Sequence, residues 1–145
     1  MSYLLDTCIL SKVRKANHPE SERIKRWLGK HAETSFFISV VSIGEIQAGI
    51  SKLKIEEHPK KMVFENWLLG ELIPRFNDRI LPVDVHTCFL WGKLLGEAQR
   101  KGHLLPAIDA LIAASAIQHQ LILVTDNTKD FLHTGVPLFN PCVAQ

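Results

Sequence analysis

Three short apolar runs in this chain are each followed within a few residues by an acid, and that pattern constrains the fold more than any other feature. The first run, Met1 to Leu5, stops at Asp6. The second, Phe36 to Val40, is followed by Glu45, and the third, Leu121 to Thr125, by Asp126 and Asp130. Strands buried on both faces of a parallel sheet read as continuous apolar runs rather than as alternation. In an open α/β sheet, ligands bind just past the carboxyl ends of such strands. Three strand ends that point the same way would bring their acids to one edge.

The stretches between these runs carry helical periodicity. Thr7 to Arg14 reads as a short helix. Ser21 can cap the next one, with Ile24, Trp27 and Leu28 on its face and Gly29 as a stop. Ser42 is expected to open a helix with Ile43, Ile46, Ile50 and Leu53 on one stripe. Glu56 to Lys61 is charged, contains Pro59 and reads as a loop or helix boundary; a helix then runs from about Lys61 to Phe76. Ile80 to Val83 is a short strand that Pro82 assigns to an edge or a strand end. His86 to Lys101 is a longer helix closed by Gly102, and Pro106 leads into the apolar helix Ala107 to His119. Leu138-Phe139 reads as a last short strand. Strands alternating with helices predict an α/β fold with a mostly parallel sheet.

At 145 residues, with a net charge of +2, the chain suits one domain, residues 1–145, and its charge neither demands nor excludes nucleic acid. The three cysteines, Cys8, Cys88 and Cys142, are far apart and form no CxxC pair, so they read as reduced thiols of a cytoplasmic protein. Asp6 follows only a few apolar residues, too few for a signal-peptide core, and no run approaches the ~20 residues of a membrane span. The seven histidines show no metal-binding spacing and read as surface or loop residues. Lysines 52, 54, 60 and 61 read as a solvated face, with a phosphate-tracking role as the alternative.

Each acid has an ordinary explanation to set against a functional one. Asp109 lies in a helix that is apolar almost all round and therefore buried. A lone carboxylate there costs several kcal/mol unless it is compensated. Its ordinary role would be to face the helix dipole from the first turn. Glu45 completes a Ser42-x-x-Glu45 capping box, which would leave it a cap alone; yet it lies off its helix's apolar stripe and just past a strand end. Asp6 could be a plain N-cap. Asp126 and Asp130 flank a turn, where acids are common. Clustered carboxylates repel one another unless a divalent cation joins them, and an all-oxygen set favours Mg²⁺ or Mn²⁺. The expected chemistry is phosphodiester hydrolysis with metal-activated water, needing no protein nucleophile.

Four stretches resemble PIN-domain endoribonucleases of the VapC-like toxin type: Leu4 to Ser11, Ser39 to Gly49, Pro106 to Ala116 and Leu123 to Phe131. Arg79 to Asp84 and Leu138 to Pro141 are similar to the FitB-like branch. The resemblance implies a five-stranded parallel sheet with helices on both faces and a Mg²⁺-dependent ribonuclease. It further implies a homodimer and a cognate antitoxin that blocks the site and carries the complex to operator DNA. Asp6, Glu45 and Asp109 fall on the family's first three acidic positions, as metal and catalytic residues; the fourth falls on Asp126 or Asp130. Thr7 and Thr125 match positions that orient the acids. A haloacid dehalogenase-like phosphotransferase would want an acid where Cys8 stands, and a receiver domain would want an acidic pair near the start. A regulatory module of the same fold, acting with a DNA-binding partner, is the remaining alternative.

Overall fold

The computed structural model describes residues 1–15 and 17–143. Five strands, β1 (Tyr3–Leu5), β2 (Phe36–Ser39), β3 (Ile80–Leu81), β4 (Ile122–Val124) and β5 (Leu138–Phe139), make one sheet in the order β3-β2-β1-β4-β5. Every neighbouring pair is parallel. The helices are α1 (Thr7–Val13), α2 (Pro19–Leu28), α3 (Val40–Ser51), α4 (His58–Trp67), α5 (Ile73–Arg75), α6 (Val85–Arg100) and α7 (Ala107–Gln118). Among the described residues, no helix is long and apolar enough to cross a membrane.

Strand side chains alternate between faces, and β1 shows the consequence. Tyr3 and Leu5 join a core with Ile9 and Leu10 of α1, Ile24 of α2 and Ile50 of α3. Leu4, between them, joins a separate core with Ile112, Ala113 and Ala116 of α7, together with Leu123 and Phe131. Helices therefore cover both faces, and β1 has no solvated side. The strand order turns at β1, with β2 on one side and β4 on the other. Such a switch point opens a crevice at the strands' carboxyl ends. Asp6 and Thr125 stand there.

Several boundaries differ from the sequence reading, each for a local reason. The second helix opens at Pro19, with the His18 ring accepting from Glu20 N, so Ser21 is not its cap. Ser21 is buried instead and donates to the Val13 carbonyl at 2.9 Å. The fourth helix starts at His58, three residues before the expected Lys61, because proline suits a first helical turn. It runs through a π-helical turn at Leu68–Leu72 into α5. Strand β3 lies at the sheet edge and ends at Leu81, just before Pro82, so both positions that the proline allows are met. Trp27 and Trp67 pack against the core on the α1 side, and Trp91 donates its indole N–H to the Ala107 carbonyl at 2.9 Å.

Candidate functional site

Asp6 caps α1 from the end of β1. Its Oδ1 accepts from Thr7 N at 2.8 Å, and its Oδ2 accepts from the Thr125 hydroxyl, also at 2.8 Å. Thr125 in turn accepts from Asn127 N at 3.0 Å, so the β4 end is tied to the β1 end through a buried hydroxyl. Asp6 is 5% exposed. Burial pushes its carboxyl above the ordinary value; hydrogen bonds from Thr125, Thr7 and Cys8 pull it back, and the Glu45 charge adds to the rise.

Glu45 is not a helix cap. The capping residue of α3 is Ser39, whose hydroxyl accepts from Val41 N at 3.0 Å, and the helix begins at Val40. Ser42 and Glu45 lie inside the helix, one turn past where a capping box would place them. Glu45 Oε1 accepts the Thr7 hydroxyl proton at 2.6 Å, and Thr7 Oγ1 is also 2.8 Å from Ser42 Oγ. Thr7 thus links the exposed Glu45, through its hydroxyl, to Asp6, through its backbone N–H.

Asp109 enters from the first turn of α7. Burial raises its carboxyl to about 6, and the charges of Asp6, Asp130 and Glu45, in that order, add to the rise. Among the described residues, no cation contributes against them. These four acids come from four separate places: the end of β1, α3, the start of α7, and the 3₁₀ turn Thr128–Phe131 after β4. The dipole alone would lower the Asp109 pKa, so repulsion and burial outweigh it.

Asp126 has a different setting. Its Oδ2 forms an ion pair with Lys12, which also pairs with Glu20. Burial pushes the Asp126 carboxyl up, but contacts from Cys8 and Lys12 outweigh this and hold it below its ordinary value. Glu20, Asp126 and Cys142 bring ligand atoms within 4.8 Å of one another. Lys12 already supplies the positive charge between the two carboxylates, so this trio reads as an ion cluster rather than a vacant metal site, with Asp126 Oδ1 buried and unpartnered. Asp6, Glu45 and Asp109 do not close to that spacing. Their donors are all oxygen, however, and like charges without a counter-ion keep apart. A hard cation that retains several waters fits such a set.

The sequence pattern missed Lys12 and Ser42, because it carries no sign of which tertiary partner a helix residue will meet. The Cys8 thiol, 3.5 Å from both Asp6 Oδ2 and Thr125 Oγ1, was also passed over as a generic reduced cysteine. Its immediate place after Asp6-Thr7 was the available signal. All three cysteines are free.

A PIN-domain family model matches residues 3–136, nearly the whole chain and all four acid-bearing elements. The chain belongs to the PIN-domain family. Among curated relatives of this PIN domain, the VapC ribonuclease Y4jK of Sinorhizobium fredii is 25% identical over 95% of the chain and 96% of its own length. Toxin FitB of Neisseria gonorrhoeae is 30% identical, with the same coverage of 95% and 96%. A solved structure of FitAB bound to an IR36 DNA fragment superposes with a TM-score of 0.87 at 28% identity, covering 99% of this chain and 97% of the other.

Proposed function

We propose that this PIN domain is a metal-dependent endoribonuclease, the toxin of a toxin–antitoxin pair, which hydrolyses RNA phosphodiester bonds in the cytoplasm. One observation carries the reading. The charges of Asp6, Asp130 and Glu45 all reach Asp109, with no cation among the influences on it from the described residues, whereas Asp126 pairs with Lys12. An arrangement that only capped helices or closed turns would have no reason to gather uncompensated charge. The similarity to a VapC ribonuclease and to toxin FitB points the same way.

In this reading Asp6, Glu45 and Asp109 hold Mg²⁺ or Mn²⁺. Asp130, whose charge reaches Asp109, is the fourth acid; Asp126 steadies the β4 turn through Lys12. A divalent cation bound there neutralises the carboxylates and stabilises charge on the phosphate oxygens. The protein's own contribution is positioning. Thr125 and Thr7 N fix the two Asp6 oxygens, and the Thr7 hydroxyl fixes Glu45. Asp109, whose carboxyl burial and the neighbouring acids raise in the metal-free protein, is the acid that gains most from a bound cation. A cognate antitoxin covers the site, the chain pairs with a second copy, and operator DNA is reached only through the antitoxin. The similar FitAB structure, bound to a DNA fragment, supports the link to DNA.

The test is cleavage of single-stranded and structured RNA by purified protein with Mg²⁺ or Mn²⁺, followed by EDTA. Cleavage that stops on chelation is expected. Undiminished cleavage in EDTA contradicts the mechanism, and folded protein that cuts no RNA but binds a DNA-binding partner favours the regulatory alternative.

A further inference from the structure

Arg14 ends α1, two turns from the acids, and its guanidinium is held in an unusual way. Its Cζ lies 3.9 Å from the centroid of the Phe64 ring and 5.0 Å from that of Trp67, both on α4. Lys60 Nζ stands 5.5 Å from the same Phe64 centroid. Arg14 is half-buried. Among the described residues it forms no ion pair, and burial alone, with no carboxylate contributing, pulls its pKa down. A partly desolvated cation without a counter-charge is unfavourable on its own. Stacking on aromatic faces offsets part of that cost and leaves the in-plane N–H edge free.

The groove beside Arg14 is lined by Thr7, Glu45, Phe64 and Trp67. Thr7 and Glu45 belong to the acid site, so the groove is continuous with it. A cation with an open donor edge, one groove away from a phosphodiester-cutting centre, matches a phosphate of the same strand. The guanidinium fork binds phosphate oxygens in pairs. A stacked base fits less well, because the guanidinium already faces the two rings.

We infer that Arg14 binds an RNA phosphate flanking the one that is cut, with Phe64 and Trp67 as the platform that aims it. This rests on the ribonuclease reading above. It makes Arg14 a substrate-positioning residue that sets where along the strand the acids act.

The experiment is a coupled substitution on both sides of the contact. RNA oligonucleotides of one sequence each carry a single neutral methylphosphonate at a different position near the cut. The value of kcat/KM is measured on each with wild type and with Arg14→Gln, at several salt concentrations. In the wild type, one flanking position is expected to lose about tenfold, the size of one charge-assisted contact. Arg14→Gln should lose a similar factor on unmodified RNA and nothing further at that position. The dependence of log kcat/KM on log salt should flatten by about 0.7, as for one phosphate contact on a single strand. Losses that multiply independently, or no position-specific loss in the wild type, overturn the inference. A merely structural Arg14 would lower every oligonucleotide equally, which overturns it too. So does a variant that cleaves like wild type but no longer holds an acidic antitoxin segment. Should Arg14→Gln fail to fold, the wild-type scan and Arg14→Lys, which keeps the charge, still decide the matter. A wild type that cuts no RNA is a separate outcome: it removes the ribonuclease reading itself, and this inference with it.

Discussion

In the proposed mechanism Asp109 is the residue on which the chemistry turns, and its surroundings predict how it will respond to pH and to substitution. Its folded carboxyl is raised to about 6 from an ordinary 3.8, with burial as the largest cause. Between those values the folded state binds more protons than the unfolded state, so metal-free stability falls as pH rises through that window and levels off above it. Asp109→Asn keeps the side-chain volume and removes one mutually repelling charge. The metal-free variant is expected to melt at or above the wild-type temperature near pH 7, with a flatter pH dependence from 4 to 6. Mg²⁺ should raise the wild-type melting temperature more than the variant's, because stabilisation follows affinity. Thermal melts on both proteins, with and without Mg²⁺, check this. A variant that melts lower without metal returns Asp109 to a dipole partner, a role that would contribute about 0.3–1 kcal/mol.

At the scale of elements, the site depends on where helices begin. Ser39 closes β2 and opens α3 with a single hydroxyl, and the Glu45 carboxylate lies within two turns of that cap. Ser39→Ala is expected to cost about 1 kcal/mol of stability, measured by urea denaturation, and to reduce cleavage by loosening the first turns of α3. Unchanged stability would mean that another group satisfies the helix start. This element also marks what the sequence could and could not reveal. The three buried strands and their trailing acids were legible, because apolar runs of that kind have few other uses. The role of Glu45 was not, because Ser42-x-x-Glu45 satisfies the capping pattern equally well, and only the cap at Ser39 separates the two. The start at His58 was available in the sequence, since Pro59 favours a first helical turn over a loop. Lys12 between Glu20 and Asp126, and Arg14 on Phe64 and Trp67, depend on the packing of distant segments and leave no periodic trace. For the same reason the choice between Asp126 and Asp130 stayed open in the sequence; the ion pair of Asp126 is the ground for proposing Asp130.

For the whole molecule, the parallel order β3-β2-β1-β4-β5 collects the first three acids and Asp130 at one edge, although they are separated by up to most of the chain length. Phe89, on α6, is 69% exposed, and Leu104, in the turn before α7, is 91% exposed; both are apolar surface available for a second copy or a partner. Light scattering at micromolar concentration is expected to give the mass of a dimer, and a larger assembly on addition of the antitoxin. A monomer under both conditions contradicts the proposed assembly. The central claim, that convergent acids hold a divalent cation which drives RNA hydrolysis, is tested most directly by titrating Mg²⁺ into a cleavage assay. The initial rate is followed for wild type and for folded Asp109→Asn. The account predicts a saturable Mg²⁺ dependence that EDTA abolishes in the wild type, and no cleavage by the variant at any Mg²⁺ concentration. A rate independent of Mg²⁺, or an Asp109→Asn protein that cleaves like the wild type, would contradict it.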